Sequence, residues 1–338
     1  MTYANRISSL ARDETCPTGI PAADMRNLLS FGPGRAENGK VNAFDPSRMI
    51  VEETFTDLET YITEEDRAYW CFMRPSERPS FTRQLLIDLA AMQAQIGRLF
   101  AASPSPAERP FDYFVLGSRT PGTFNLGGDL VLFRQKIEQR DAEALRQYAY
   151  SCVESGYANY TGYGQRVITI ALIQGDALGG GFESALSCDL IVAERQAKFG
   201  LPEILFNLFP GMGAYSFLSR RVGAAKAEEM IHSGRIYTAE DMHALGVVDV
   251  LVDQDQGHEA VKQHIAANRV RHSAHSAIYQ VRRRVNPVTL QELRDITDIW
   301  VETALRLSEQ DLRKMSRIAA AQDRSRHRRM PPTAVAAE

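Results

Sequence analysis

The sequence predicts an α/β fold, in which buried strands alternate with glycine-rich loops and helices. The apolar run "VITIALIQ" (167–174) enters the glycine loop of "DALGGGFESA" (176–185), and a second apolar run, "DLIVA" (189–193), follows it. The same order begins upstream, where the buried strand "FDYFVLGSR" (111–119) precedes the glycine turn "FNLGGDL" (124–130). A repeated order of strand, loop and helix is typical of α/β proteins.

The remaining elements follow from local patterns. Segments 49–63 and 68–74 alternate apolar and polar residues and predict two early strands. Apolar residues at helical spacing predict a helix over 81–102, which ends at "SPSPAERP", and another through 143–160. After about residue 258 the patterns become long and helical, with few turn signals.

The chain accordingly divides into three regions. Residues 1–48 are rich in Gly, Pro, Asn and Ser and predict an N-terminal extension that is loosely ordered or docked. Residues 49–258 carry the α/β pattern and form the predicted catalytic core. Residues 259–330 form a C-terminal helical region.

Composition excludes several classes of protein. Of the 338 residues, 44% are apolar and 24% charged, and the net charge of −3 argues against a nucleic-acid-binding protein. The four cysteines, Cys16, Cys71, Cys152 and Cys188, share no CxxC spacing and predict free thiols in a reducing compartment. The N-terminus lacks the apolar core of a secretory signal, and no run reaches the roughly 18 apolar residues of a membrane span. We therefore expect a soluble, cytoplasmic protein.

The charge changes sign along the chain, from the acidic "VEETFTDLETYITEED" to the basic "RVRH", "RRR" and "RSRHRRM". These basic residues can be solvated helix faces. They can also form a surface for an acidic partner or a phosphorylated cofactor, and the sequence leaves both interpretations open.

Glu183 lies where an ionisable group is unexpected, because apolar segments flank it and three glycines precede it closely. A carboxylate in apolar surroundings costs several kcal/mol unless it is paired or neutralised. A glycine run that enters a helix allows close backbone approach and presents free N–H groups at the positive end of the helix dipole. Such a loop is suited to bind a developing oxyanion.

A second glutamate, Glu203, follows Pro202 between apolar residues in "KFGLPEILFNLFPGMG". A helix of about ten residues advances roughly 15 Å, and a strand of about five residues returns roughly 16 Å. The chain can therefore bring Glu203 back near Glu183. Two carboxyls in one partly dry pocket have their pKa values pushed apart, which suits one as acid and the other as base. The alternative for Glu203 is the start of a surface helix.

The turn "FNLGGDL" supplies a second glycine loop with free amides. Two loops that each offer one N–H group can clamp a single carbonyl oxygen. That arrangement polarises a thioester or ester without a metal.

Together, "FNLGGDL", "GDALGGGFESALSCDLIVA" and "FGLPEILFNLFPGMGA" resemble the crotonase superfamily, the enoyl-CoA hydratase/isomerase fold. The resemblance covers roughly residues 110–258, including "SGRIYTAEDMHALGVVDVLV". It implies a spiral of ββα units with a C-terminal helical region. Within the superfamily the chain looks closest to the diffusible-signal-factor synthases, which make cis-2-unsaturated fatty acid signals from 3-hydroxyacyl-acyl-carrier protein.

The resemblance implies a role for each matching residue. Glu183 and Glu203 lie where hydratases keep their catalytic glutamates, and the amides of Gly128 and Gly180 match the oxyanion hole. Many hydratases read "AGAD" where this chain reads "LGGD", an exchange that an amide donor tolerates. Glu203 is the expected base for the α-proton, and Glu183, held protonated by its apolar setting, is expected to donate to the departing 3-hydroxyl.

Further residues of the same motifs are expected to contact the substrate. Those of the glycine loops are Asn125, Leu126, Gly127, Gly179 and Gly213. The expected walls of an apolar acyl tunnel, each of which could instead be ordinary core, are Leu178, Phe182, Phe206, Leu208, Met212 and Trp300.

The resemblance also implies no metal and no cofactor beyond the thioester carrier, which is acyl-carrier protein or CoA. It implies a homotrimer or a dimer of trimers, assembled partly through the C-terminal helices, and a sensor kinase as a further partner. The predicted activity is dehydration of a 3-hydroxyacyl thioester followed by release of the free acid, in quorum-sensing fatty acid metabolism.

Two alternatives remain. One is a conventional enoyl-CoA hydratase or isomerase acting on CoA thioesters, and the other is a module that binds a signalling partner. No GxxxxGK[ST], GxSxG or HExxH motif occurs. His258 and His264 are six residues apart and are expected at the surface, and Cys188 is expected as a small buried hydrophobe.

Overall fold

The computed structural model describes residues 54–103, 105 and 108–329, and the side chains of all of these except 325–329. They belong to one compact unit, Asp45–Glu338. The predicted N-terminal extension, 1–48, and Cys16 lie outside the described residues.

Two sheets form the centre of this unit. The first has six strands in the order β1-β2-β3-β5-β7-β10, and all neighbours are parallel except β1 and β2. Its strands are β1 (Leu58–Thr63), β2 (Ala68–Met73), β3 (Tyr113–Ser118), β5 (Ile168–Ile173), β7 (Leu190–Glu194) and β10 (Val250–Val252). The second sheet has the order β4-β6-β8-β9, with only β8 and β9 antiparallel. Its strands are β4 (Thr123–Asn125), β6 (Asp176–Leu178), β8 (Lys198–Gly200) and β9 (Ile236–Thr238).

In the middle of the chain, a helix follows each pair of strands that combines one strand from each sheet. The α-helices are α1 (Arg83–Ala102), α2 (Leu130–Glu138), α3 (Ala142–Thr161), α4 (Gly180–Ser187), α5 (Ala214–Val222), α6 (Ala224–Ser233), α7 (Ala239–Ala244), α8 (Gly257–Asn268), α9 (His272–Val285), α10 (Leu290–Ala304) and α11 (Glu309–Arg329). Short 3₁₀ helices span Pro202–Phe206 and Arg269–Arg271. The units β3-β4-α2 and β5-β6-α4 confirm the predicted α/β fold of ββα units, and α8 to α11 form the C-terminal helical region.

The four inner strands of the six-stranded sheet are buried on both faces, which explains why β2, β3, β5 and β7 are apolar almost throughout. Alternate residues of β2 point to opposite sides. Tyr69 and Cys71 join the larger core cluster, whereas Trp70 and Phe72 join a second cluster that α8 covers through Val261 and Ile265.

One helix among the described residues, α1, is long and apolar enough to cross a membrane by length and composition alone. Its buried side chains, among them Leu85, Leu89 and Ile96, belong to the larger core cluster, and the helix contacts α3 and β1. Because a core helix passes the same test, we assign α1 to the core.

The long helical pattern near the C-terminus is broken once. Helix α10 ends at Ala304, and α11 begins after Ser308. The backbone amide of Ser308 donates to Asp311 at 3.1 Å, and the amide of Asp311 donates to the Ser308 hydroxyl at 3.3 Å. This reciprocal capping starts a new helix and turns α11 back across the core.

Part of the basic "RRR" segment has a structural role. Arg282 and Arg283 both bind the buried carboxylate of Asp189, at 2.8 and 2.7 Å. His258 is also less exposed than the sequence suggests, because its ring stacks on Trp70 with the ring centroids 4.4 Å apart.

Candidate active site

Glu183 lies in the first turn of α4 and is only 2% exposed. Its Oε1 accepts hydrogen bonds from two backbone amides, those of Met212 at 2.7 Å and Ala214 at 2.8 Å. Both amides belong to the turn around Gly213, which begins α5 with a φ of 111°. This glycine turn therefore directs two donors at one carboxylate oxygen.

Glu203 lies in the 3₁₀ helix that begins at Pro202. Its carboxyl points inward: Oε2 is buried and has no hydrogen-bond partner among the described residues. Glu203 therefore does lie at the start of a helix, as the alternative interpretation expected, but its side chain points into the protein and not toward solvent.

The two carboxyls have different electrostatic surroundings. Burial raises the pKa of Glu183 to about 7, although its hydrogen bonds from Ala214 and Met212 oppose the shift. Burial raises the pKa of Glu203 to about 8, and the charge of Glu183 raises it further. The two amide donors favour the charged form of Glu183, whereas the charge of Glu183 disfavours the charged form of Glu203. The raised pKa of Glu183 agrees in direction with the expectation that its apolar setting favours the protonated form, and the two amide donors limit the shift.

At each glycine of the triplet a different neighbouring residue occupies the space that a side chain would need. A Cβ at Gly179 would lie 2.5 Å from Oε1 of Glu203, and one at Gly180 would lie 2.4 Å from Sδ of Met212. A Cβ at Gly181 would lie 2.0 Å from the carbonyl oxygen of Asn125. Glycine is needed here so that both catalytic segments can approach the start of α4.

The two predicted oxyanion amides, those of Gly128 and Gly180, both border the same pocket. Neither donates to an acceptor among the described residues. Asn125 shapes the first loop by accepting the amide of Gly127 at 2.7 Å, and Asp129 caps α2 by accepting the amides of Val131 and Leu132.

The pocket brings together ten of the predicted site residues and encloses about 600 Å³ of empty space, its mouth included. The ten are Leu126, Gly128, Gly179, Gly180, Glu183, Glu203, Phe206, Leu208, Met212 and Trp300.

Five predicted site residues lie outside the lining. Phe182 is fully buried and packs on Phe199 with ring centroids 5.4 Å apart, because it points away from the pocket on α4. Leu178 and Gly127 provide the backbone against which the Gly180 amide is placed. Asn125 and Gly213 act through the turns described above.

Sequence reasoning missed part of the pocket wall. This part comes from α2, α3 and α11 and comprises Phe133, Tyr148, Ala149, Cys152, Ile318 and Gln322. The spacing of Tyr148 and Cys152 places them on one face of a helix, but nothing in that pattern separates a pocket wall from core. Burial raises the pKa of the Cys152 thiol well above its usual range, so Cys152 is a neutral wall.

The sequence is similar to proteins of one known family. Residues 107–323 match the sequence profile of the enoyl-CoA hydratase/isomerase family. The probable enoyl-CoA hydratase of Rhizobium meliloti is 46% identical over 87 residues, which are 26% of this chain and 34% of that protein. The 2,3-dehydroadipyl-CoA hydratase of Escherichia coli is 40% identical over 124 residues, 36% of this chain and 48% of that protein. The matched segments span between about a third and a half of these curated relatives.

Solved structures are similar over a longer range. The enoyl-CoA hydratase of Bacillus halodurans has a TM-score of 0.64 at 22% identity, over 78% of this chain and all of that one, a likeness of fold alone. Pseudomonas aeruginosa DspI has a TM-score of 0.55 at 26% identity, over 73% of this chain and 93% of that one. The family profile covers well over half of the sequence, both glycine loops and both glutamates. The chain therefore belongs to the enoyl-CoA hydratase/isomerase family.

Proposed function

We propose that the protein catalyses the reversible addition of water across the C2–C3 double bond of an acyl thioester. The observation that carries this proposal is the asymmetry of the buried pair: Glu183 accepts two amide hydrogen bonds, whereas Oε2 of Glu203 has no partner among the described residues. One carboxyl is thus suited to take a proton from water and the other to give a proton to carbon.

In the hydration direction, the thioester carbonyl accepts hydrogen bonds from the amides of Gly128 and Gly180. Ionised Glu183 takes a proton from water as the water oxygen bonds to C3, and the π electrons move onto the carbonyl oxygen as an enolate. Protonated Glu203 then donates its proton to C2. Each oxyanion donor lowers the barrier by about 3 kcal/mol, because it is in place before the charge develops.

Dehydration of a 3-hydroxyacyl thioester is the same path reversed. It starts from the other proton arrangement, with Glu203 ionised and Glu183 protonated.

Release of a free acid is a second candidate step. The unpartnered Oε2 of Glu203 favours it, because that atom is free to bind a water molecule near the thioester carbonyl. In this step an ionised carboxyl of the pair takes a proton from water as the water oxygen bonds to C1, the C–S bond breaks, and the departing thiolate takes that proton from the carboxyl. A dehydratase that also hydrolyses its thioester would yield a 2-unsaturated free acid, as the resemblance to diffusible-signal-factor synthases predicts.

The carrier of the substrate, the oligomeric state, the sensor-kinase partner and the cytoplasmic location stay predictions. CoA is the carrier that we propose first, because the names of the hydratases similar to this chain specify CoA. Acyl-carrier protein is the alternative, and a direct comparison of crotonyl thioesters on the two carriers distinguishes them.

The experiment is to follow loss of the conjugated enoyl-thioester absorbance with wild-type protein, Glu183→Gln and Glu203→Gln. Both variants keep the shape of the side chain and remove its proton chemistry, so we expect kcat to fall by about 10²-fold or more in each. Mass spectrometry of the same mixtures reports whether the product is a 3-hydroxyacyl thioester or a free acid.

Glu194→Gln is the matched control. Glu194 is also a buried glutamate, 1% exposed, but it bonds the amide of Gly257 and the side chain of Gln174 outside the pocket. We expect this variant to keep the wild-type kcat. Full activity in both pocket variants would contradict the roles proposed for the two glutamates, whereas no turnover by the wild-type protein would favour a binding function instead.

A further inference from the structure

A hydroxyl group is inserted into the backbone pairing that holds the first oxyanion loop. The segment around Phe81 runs parallel to 126–129: the Leu126 amide donates to the Pro79 carbonyl at 2.7 Å, and the Phe81 amide donates to the Gly127 carbonyl at 2.8 Å. In a parallel ladder the next bond would join the Asp129 amide to the Phe81 carbonyl.

Tyr148 mediates that next bond. Its hydroxyl accepts from the Asp129 amide at 3.0 Å and donates to the Phe81 carbonyl at 2.5 Å. The hydroxyl therefore bridges the two strands at Gly128, the residue whose amide is the proposed oxyanion donor.

The ring of Tyr148 supports the same residue indirectly. Tyr148 lies on α3, is 6% exposed and packs edge-on against Phe133, with ring centroids 5.2 Å apart. Phe133 in turn covers Gly128 so closely that a Cβ there would lie 2.4 Å from its Cζ. Tyr148 therefore affects Gly128 in two ways. Its hydroxyl holds the neighbouring Asp129 amide, and its ring packs on Phe133, which covers Gly128.

We propose that Tyr148 is a positioning residue for the reaction, which sets the orientation of the Gly128 amide toward the thioester carbonyl. The inference rests on the proposed function, because it assigns Tyr148 to that same oxyanion hole. Tyr148 is not a catalytic residue here: its one O–H bond is directed at the Phe81 carbonyl. Burial keeps the pKa of the hydroxyl well above its usual range, so it stays a donor throughout any assay range.

Removing the hydroxyl has a defined consequence. In Tyr148→Phe the ring still fills its place beside Phe133, but the Asp129 amide and the Phe81 carbonyl lose their bridge. Either they approach each other and pull Gly128 toward Phe81, or both remain without a partner in a buried site. Both outcomes move or loosen an amide whose position within about 1 Å matters by up to about 10²-fold in rate.

The test is to compare wild type, Tyr148→Phe and Tyr69→Phe with enoyl-CoA. Tyr69 is the matched control, because its buried hydroxyl donates to Gln95 at 2.7 Å in the core, outside the pocket lining. We expect kcat to fall roughly 10- to 100-fold in Tyr148→Phe with KM within about threefold of wild type. Tyr69→Phe should keep the wild-type kcat.

A spectroscopic measurement separates positioning from general destabilisation. A thioester conjugated to an electron-rich aromatic ring absorbs at longer wavelength when its carbonyl accepts hydrogen bonds. The band should shift on binding to wild type and Tyr69→Phe and should lose most of that shift in Tyr148→Phe. A full shift and full kcat in Tyr148→Phe would overturn the positioning role.

Wild-type protein provides a further check should Tyr148→Phe fail to fold. Amide hydrogen exchange should be slow at Asp129 and faster at Gly128, and equal rates at the two amides would contradict the bridge. A band shift in wild type without turnover would contradict the proposed hydration while supporting the oxyanion loop. The experiments therefore distinguish an error in the proposed hydration activity from an error in the positioning role of Tyr148.

Discussion

The Oε1 atom of Glu203 lies over the Cα of Gly179, where a Cβ would come within 2.5 Å of it. Gly179 also has a φ of 51° and a ψ of −129°, a conformation that side chains with L configuration rarely adopt. Gly179, which precedes the proposed oxyanion donor Gly180, is thus in contact with the carboxyl proposed to deliver the proton. Because residue 179 is glycine, the Glu203 carboxyl can lie next to the loop that carries the Gly180 amide.

Gly179→Ala should therefore abolish most activity by displacing the Glu203 carboxyl. We expect kcat to fall by about 10²-fold, measured from the loss of enoyl-thioester absorbance. Gly164→Ala is the control, because Gly164 also has positive φ, 68°, but its Cβ would meet no atom within 4 Å. Equal effects of the two substitutions on kcat would mean that backbone strain, not the carboxyl, accounts for the loss.

The raised pKa values of the pair predict how stability depends on pH. The unfolded chain ionises both glutamates near their ordinary pKa, about 4.3, whereas the folded protein keeps its protons up to about pH 7 and 8. The folded state binds more protons across that window, so the free energy of unfolding falls as pH rises through it.

Glu203→Gln, which stays neutral, should escape part of this loss. The melting temperature of the variant minus that of wild type should increase as the pH rises from 5 to 9, by roughly 5 °C over this range. Circular dichroism melts at four pH values provide the measurement. Parallel melting curves for the two proteins at every pH would show that the Glu203 carboxyl titrates normally.

The same pair predicts a bell-shaped pH profile for kcat/KM. Below both pKa values neither carboxyl can accept a proton, and above both neither can donate one. Activity should peak between about pH 7 and 8. Rates that keep rising from pH 6 to pH 10 would rule out an acid among the two groups.

Gly128→Ala should be harmful here although an alanine precedes the aspartate in many hydratases. The added methyl group would collide with the ring of Phe133, 2.4 Å from its Cζ. We expect kcat to fall roughly tenfold and to recover when Phe133→Leu is combined with Gly128→Ala, since the shorter side chain makes room. A double-mutant cycle gives the coupling, and strictly additive effects on kcat would contradict the steric explanation.

Trp300→Ala should shorten the range of acyl chains that the enzyme uses. Trp300 is 5% exposed, packs on Phe133 with ring centroids 4.9 Å apart and lines the pocket from α10. We expect only a long acyl chain to reach the indole, and its contacts are lost when alanine leaves a cavity there. The value of kcat/KM should therefore fall more for long-chain than for four-carbon thioesters. Equal losses at every chain length would place Trp300 outside the acyl path.

Much of the fold could be predicted because its strands are apolar runs bounded by glycine. Strands β2, β3 and β5 and helix α1 lie within the predicted segments, and β7 and α3 extend beyond theirs by one residue at one end or both. The second sheet could not be predicted, because three-residue strands such as β6 have too few side chains to show a period. Helix α2 was missed because its signal is short and follows a turn-rich segment.

The site shows the same division. The glycine spacing and the flanking apolar runs predict Glu183 and Glu203, but the protonation order of the pair depends on amides at 212 and 214, which no local pattern reveals. Phe182 was expected in the tunnel because it adjoins the glycines, yet a helix turns successive residues by about 100° and directs it into the core. The part of the pocket wall that was missed comes from α2, α3 and α11, which only the tertiary fold brings together.

The most direct test of the account is mass spectrometry of an enoyl-CoA incubated with the protein in D₂O. We predict a 3-hydroxyacyl thioester that carries one carbon-bound deuterium at C2, delivered by Glu203, and no such product with Glu183→Gln or Glu203→Gln. Unchanged enoyl-CoA after prolonged incubation with wild-type protein, or labelled product from both variants, would contradict the account.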